Sequence, residues 1–445
     1  MYRATRRLVR MAGLALCLAT LIAAAPARAV QLLRDADIEY ALTQLGAPVL
    51  RAAGLSPSHV QILLINDNSL NAFIVDTQHI FIHSGLMSKL ETAAQIQAVI
   101  AHEAAHIANG HISRRLGNMH SARTASGLGL VLAAAAAAAG GGRAAAGLAI
   151  GTQSSVMRSL LSHSRAEEAS ADISSIRYLM RAGIDPQGAI EVQDLFRGQE
   201  ALSESRQDPY MRSHPLTRDR LRALKGLVSG SKAQGATDPA AAYWFARAKG
   251  KLTAFTRAPT WTLRRADQSG SADIAQMRKA VAYHRQSDLG RALGQIDGAI
   301  SQRPKDPFLR DLKGQILLES RRAGDAVAVY SAAARLAPNH PLILGGLGRA
   351  HLAAGNPGEA LRVLESARGR DYGDARILRD LSVAYATTGN NAMASLVTAE
   401  RYALQGRLND AAIQAKRAEG ALARGSGPWK RAQDVLSAAQ RATRR

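Results

Sequence analysis

The sequence predicts a mainly helical chain of two or three domains, with one small β region towards its front. Three observations point there. At 445 residues the chain exceeds what one ordinary domain holds. Apolar residues reach 47% while aromatics make up only 4%, and alanine is abundant, which suits close-packed helices better than a β-sandwich. The second half also repeats itself with a period of 34 residues.

The first stretch, "MYRATRRLVRMAGLALCLATLIAAAPARAV", reads as a targeting segment. Arg3, Arg6, Arg7 and Arg10 precede an apolar run over 11–25, and Ala27-Arg28-Ala29 has the A-x-A form of a cleavage site. The expectation is a signal peptide over 1–29, cleaved after Ala29, because the run is short for a spanning helix and ends in small residues. Cys17, the single cysteine, falls inside it and follows Leu16 rather than a small residue, so lipidation is not expected. A metal site in the mature chain must then use His, Asp or Glu. Losing the five arginines of the signal lowers the formal charge from +22 to about +17. The remaining basic residues are scattered, with no aromatic-interleaved stripe, which argues for solvated helix faces and against nucleic acid as a partner.

From 30 to 228 a short β region gives way to helix. "VQILLIND" (60–67), "NAFIVD" (71–76) and "HIFIHS" (79–84) are apolar, β-branched runs separated by turn residues, and read as a small sheet. The helical period that follows carries "HEAAH" (102–106). Residues i and i+4 share one helix face, so His102 and His106 can present two imidazoles to one zinc ion. Glu103, about 100° round the helix, can reach a metal-bound water without being a ligand. Zinc lowers the pKa of that water and the glutamate takes its proton, the chemistry of peptide hydrolysis. A third histidine in metzincin spacing is absent, since Asn109 and Ile112 stand where glycine and histidine are needed. His111, about 140° off the ligand face, is expected to be a surface histidine. The third ligand is then expected to be a carboxylate on another helix. "SRAEEASADISSIRYLMRAG" (164–183) offers Glu168 and Asp172 on one face, one able to bind zinc and the other to hold a ligand histidine from behind, while Glu167 points elsewhere.

Between these motifs lies a Gly/Ala-rich segment over 126–151. It is weakly apolar and interrupted by Arg143, so it reads as a mobile lid over the active site or a flap touching the membrane surface rather than a span. "SGSKAQGATDPAA" (229–241) has linker composition. Beyond it, over 242–440, Pro304 and Pro338, Gly314 and Gly348, and Ala292, Ala326, Ala360 and Ala394 recur at 34-residue steps. Small residues where helices cross and proline at the repeat end resemble tetratricopeptide repeats, an α-solenoid whose groove binds peptides or proteins. The last copy is irregular, and one helix there is expected to end one repeat and start the next.

"NAF" (71–73), "HEAAH" (102–106), "EASAD" (168–172) and "HPLTRDRL" (214–221) stand in the order that resembles the Ste-twenty-four/HtpX-like family of gluzincin metalloproteases. The resemblance implies a zincin-type α+β head in which His102, His106 and Glu168 bind one zinc per chain, Glu103 is the general base and Asp172 orients a ligand histidine. It implies a place for His214 near the metal, either in the open coordination position as a self-inhibitory switch or steadying the oxyanion, with Arg220 supporting the same region. Where relatives often carry glycines after "NAF", this chain has "IVDTQ" (74–78), so the substrate subsites there are expected to differ. With the signal peptide and repeats, the resemblance implies a periplasmic endopeptidase acting on misassembled outer-membrane proteins, its repeats docking clients or the β-barrel assembly machinery. The rival expectation is a repeat-based chaperone or adaptor with a latent or inactive head.

Overall fold

The computed structural model describes residues 31–115, 164–203, 206–230 and 238–443. The expected signal peptide, the Gly/Ala segment 126–151 and residues 231–237 of the expected linker lie outside the described residues. Among the described residues, no helix is long and apolar enough to cross a membrane.

The head is built round one buried helix and a small sheet. Strand β1 (Leu32–Leu33) leads into α1 (Ala36–Ala52), whose start is fixed by the Asp35 carboxylate accepting from the Asp37 and Ile38 backbone N–H groups, both at 3.0 Å. The three β-branched runs become β2 (Gln61–Ile65), β3 (Ala72–Ile74) and β4 (His79–His83), and the sheet order is β1-β2-β4-β3. β2 and β4 run parallel, while β3 returns antiparallel along β4 and forms the edge. Two-residue β1 is too short to leave a periodic signal in sequence.

After α2 (Ser84–Lys89), Thr92 and Gln95 make a capping box that starts α3 (Ala93–Ala108). Helix α3 is buried on nearly every side, between α1, the sheet, α4 (Arg165–Arg181) and α5 (Gln187–Asp194). Its run of small residues permits this, and so does Gly188 on α5, where a Cβ would lie 2.6 Å from the Ala94 carbonyl carbon. Short α6 (Pro209–Ser213) and α7 (Arg218–Ser229) complete the head.

The expected linker overlaps structured chain at both ends: α7 runs to Ser229, and Asp238 caps α8 (Pro239–Thr256). Nor does the head's core stop at 228. Ala241, Phe245, Ala248 and Leu252 of α8 belong to it, because α8 lays one face on α1. Its other face turns to the repeats. Arg247, 1% exposed, lies 2.7 Å from Asp37 of α1 and donates to Asp306, the cap of α12, at 2.5 Å. Lys251 donates to Asp35 at 2.9 Å. Ahead of α1, Arg34 donates to Asp371 at 2.6 Å.

After α9 (Pro259–Arg265) come helix pairs: α10 (Ala272–Arg285) with α11 (Leu289–Gln302), α12 (Pro307–Glu319) with α13 (Ala323–Leu336), α14 (Pro341–Ala353) with α15 (Pro357–Arg370), and α16 (Ala375–Thr387) with α17 (Asn391–Leu404). Pro304 and Pro338 fall in the turns between pairs, and Ala292, Ala326 and Ala360 are fully buried at the crossings. Gly348 brings α14 onto α15: a Cβ there would sit 2.4 Å from Leu364 Cγ. Helix α17 packs on α16 before it and on α18 (Leu408–Ala421) after it, which accounts for the irregular last copy. Helix α19 (Gly427–Thr443) closes the stack.

Candidate metal centre

Helices α3 and α4 cross with their chemistry facing inward. His102 and His106 stand one turn apart on α3, and their Nε2 atoms are 3.2 Å apart. Glu168, in the first turn of α4, puts Oε2 3.4 Å from His102 Nε2 and Oε1 3.4 Å from His106 Nε2. A tetrahedral zinc ion with bonds of ~2.0–2.1 Å needs ligand atoms ~3.3 Å apart, and these separations, which engage both oxygens of Glu168, are of that order. The fourth group is His214, just after α6. The ligand atoms of His102, His106, Glu168 and His214 all lie within 4.8 Å of one another, and all four residues are buried.

The neighbouring groups are arranged in layers. Asp172, one turn beyond Glu168, brings Oδ1 to 3.3 Å from His102 Nδ1. Arg220 on α7 donates twice to Asp172, at 2.8 and 2.9 Å, and its third nitrogen lies 2.8 Å from Glu168 Oε2. Glu167 is turned away, as its sequence position suggests. It accepts from the Ser164 N–H at 2.9 Å and from Arg115 at 2.8 Å.

Burial would lower the pKa of His102, but hydrogen bonds to Asp172 and Glu168 override it and hold the imidazole at about 10. Burial drives His106 well below its ordinary value, against the pull of Glu168 and with the help of the His102 charge. Glu168 is held well below the usual carboxylate range: burial opposes this, but His214 and the hydrogen bonds from the three imidazoles outweigh it. Glu103 goes the other way, pushed up by burial and only partly drawn back by His214 and His102. Both its oxygens are buried without a hydrogen-bond partner among the described residues, and His214 Nε2 is 3.5 Å away. An orphaned buried carboxylate is costly, and such groups concentrate where chemistry needs them.

His214 spans the site. Its Nδ1 is 3.0 Å from Glu168 Oε1 and its Nε2 is 3.3 Å from the Ala72 carbonyl oxygen on edge strand β3. The Tyr210 N–H donates to the carbonyl of Leu70, two residues before β3 begins, and the Tyr210 ring lies 4.7 Å from the His214 ring.

His111 corrects the sequence reading. It is not among the four clustered residues, as expected, but neither is it on the surface. It is 2% exposed, with Nδ1 2.8 Å from His106 Nδ1. The straight-helix angle fails because α3 ends at Ala108 and the chain turns through Gly110 at φ +69°. Asn109-Gly110 is a helix-stop signal that would have flagged the bend.

A core helix presenting two imidazoles, a second helix answering with a carboxylate, and a sheet edge alongside make the head a zincin-type metalloprotease domain. Residues 37–228 match Peptidase family M48, and residues 317–379 match a tetratricopeptide-repeat family. The chain is 24% identical over 392 residues, 85% of its length and 78% of the relative's, to the Beta-barrel assembly-enhancing protease of Escherichia coli (strain K12). The protein of the same name from Yersinia pestis is 22% identical over 385 residues, 85% of this chain and 79% of that one. Metalloprotease LoiP of Escherichia coli (strain K12) is 28% identical over 203 residues, 44% of this chain and 73% of its own. The head is a family M48 metalloprotease domain, carried on the same chain as tetratricopeptide repeats.

Proposed function

We propose that the chain is a zinc-dependent endopeptidase of the periplasm that acts on misassembled outer-membrane proteins, with repeats that dock these clients or the β-barrel assembly machinery. The observation that carries the reading is the cluster of His102, His106 and Glu168, with contacts of 3.2, 3.4 and 3.4 Å that engage both Glu168 oxygens, beside a buried Glu103 carboxylate that accepts no hydrogen bond among the described residues. The names of the Escherichia coli and Yersinia pestis relatives support the substrate class.

In this reading His102, His106 and Glu168 hold the ion. When bound, zinc supplies Lewis acidity, activating water and polarising the scissile carbonyl. Glu103 takes the proton at its carboxylate and returns it to the leaving amine. Burial raises its pKa towards the working pH, which suits that exchange. Asp172 accepts from His102 Nδ1 and so presents Nε2 inward, and Arg220 fixes Asp172. Edge strand β3 offers backbone groups to an extended substrate. His214 and Tyr210 sit over that edge, which favours a resting state with His214 as an inhibitory plug rather than an oxyanion donor. The repeats, the head's Asp35 and the α8 residue Phe255 line a cavity of about 380 Å³, with Asp311, Tyr330, Arg349 and Arg376 in its walls, which suits engagement of a protein segment.

The test is Glu103→Gln in the full chain, assayed on an unassembled outer-membrane β-barrel protein. The variant should keep its zinc and lose cleavage by at least ~100-fold. Cleavage at the wild-type rate would leave the repeats as the working part and the head as a passive one.

A further inference from the structure

The bend after α3 places a second histidine behind a metal ligand. Three contacts hold it there. Asn109 Nδ2 donates to Ser170 and Ser174 on α4, at 3.0 and 3.2 Å, pinning the bend to the helix that carries Glu168. Ile112, fully buried, anchors the turn that follows. Arg115 then reaches Glu167 on α4 at 2.8 Å. Within this frame the His106 and His111 rings meet at 67°, with their Nδ1 atoms 2.8 Å apart.

The protonation of the pair follows from elementary chemistry. A histidine that binds a metal through Nε2 carries its proton on Nδ1. His106 Nε2 faces His102 and Glu168, so Nδ1 faces His111. Two nitrogens at 2.8 Å need one donor and one acceptor. His106 therefore donates, and His111 must accept at Nδ1 and carry its own proton on Nε2. The two ligand histidines are backed differently: His102 by the carboxylate of Asp172, His106 by a neutral imidazole.

We propose that His111 is a positioning residue that fixes His106 in the Nδ1–H tautomer and aims its Nε2 lone pair at the metal. This rests on the reading of His106 as a ligand. Gly110, in the left-handed region at φ +69°, is what turns His111 back under the helix.

The test compares full-length wild type, His111→Asn and His111→Phe. Asparagine offers an oxygen acceptor near the Nδ1 position, whereas phenylalanine fills the space without one. Zinc affinity is read by competition with a chromophoric chelator, and site geometry from the visible absorption of the cobalt(II) form. The expected result is affinity about 10–100-fold weaker with an altered cobalt band in His111→Phe, and near wild type in His111→Asn. Equal affinity in all three, or an equal loss in both variants, overturns the proposal, because either result makes the ring no more than a filler. ¹⁵N spectra of histidine-labelled, zinc-loaded wild type give a reading that needs no variant. His111 protonated on Nε2 supports the proposal, and protonated on Nδ1 contradicts it. A wild-type chain that binds no zinc fails the underlying metal reading, and this proposal with it.

Discussion

Arg220 grips Asp172 with two arms of its guanidinium, Nε to Oδ2 at 2.8 Å and one terminal nitrogen to Oδ1 at 2.9 Å. Its other terminal nitrogen lies 2.8 Å from Glu168, so one buried cation stabilises both carboxylates of α4. Removing it leaves two buried charges short of a partner. Arg220→Ala should cost about 3–5 kcal/mol of stability and weaken metal binding about 10–100-fold. Arg220→Lys should recover little, because a point charge cannot reproduce the fork. Thermal unfolding and zinc titration of the two variants check this; wild-type affinity in Arg220→Ala would limit Arg220 to a structural part.

Arg247 ties the head to the repeats through Asp37 at 2.7 Å and Asp306 at 2.5 Å. The approach to Asp37 is an ion pair by distance, without hydrogen-bond alignment, and both Asp37 oxygens are buried. Arg247→Met should destabilise by about 3–5 kcal/mol, and Asp37→Asn in the same chain should restore part of the loss. A double-mutant cycle by chemical denaturation measures the coupling, and simple additivity would show that the contact carries none.

Asp311 lines the cavity between head and repeats. Burial lifts its carboxyl from 3.8 to about 7, with Lys251 opposing and Asp35 and Asp37 adding. A folded value above the unfolded one means that its stability contribution is complete below 3.8 and is lost as pH rises through about 7. Asp311→Asn should therefore stabilise the protein at pH ~8, by about 1–2 kcal/mol after discounting for its partial exposure, and change little near pH ~4. Melting curves across that range decide it, and an effect independent of pH counts against the assignment.

His214 bonds to Glu168 and to the edge-strand carbonyl of Ala72 at once. If it plugs the site, His214→Ala should raise peptide cleavage, and a tenfold rise corresponds to ~1.4 kcal/mol of latency. A fall of about 10²–10³-fold would instead assign it to oxyanion stabilisation.

What the sequence revealed depended on whether the relevant contact was local. His102 and His106 were legible because i and i+4 share a helix face, and Glu168 and Asp172 were legible as a pair for the same reason. Which of the two carboxylates faces the imidazoles depends on how α4 crosses α3, and the family resemblance supplied that choice. The 34-residue period was legible because each helix pair meets its neighbour through the same small residues. His111 escapes the helix-angle argument because one left-handed glycine redirects the chain just before it. The linker composition at 229–241 places α8 with the repeats, whereas Phe245 and Leu252 lie in the head's core. Its apolar face names no partner, and the contact of Arg34 with Asp371 joins residues too far apart in the chain for any pattern to register.

Every role proposed for the head depends on a metal held between His102, His106 and Glu168. Metal analysis of the full chain, purified without added metal or chelator, tests it most directly. About one zinc per chain in wild type, and none in Glu168→Ala that remains folded, is the predicted result. Zinc absent from wild type even after reconstitution, or retained in full by Glu168→Ala, would contradict it.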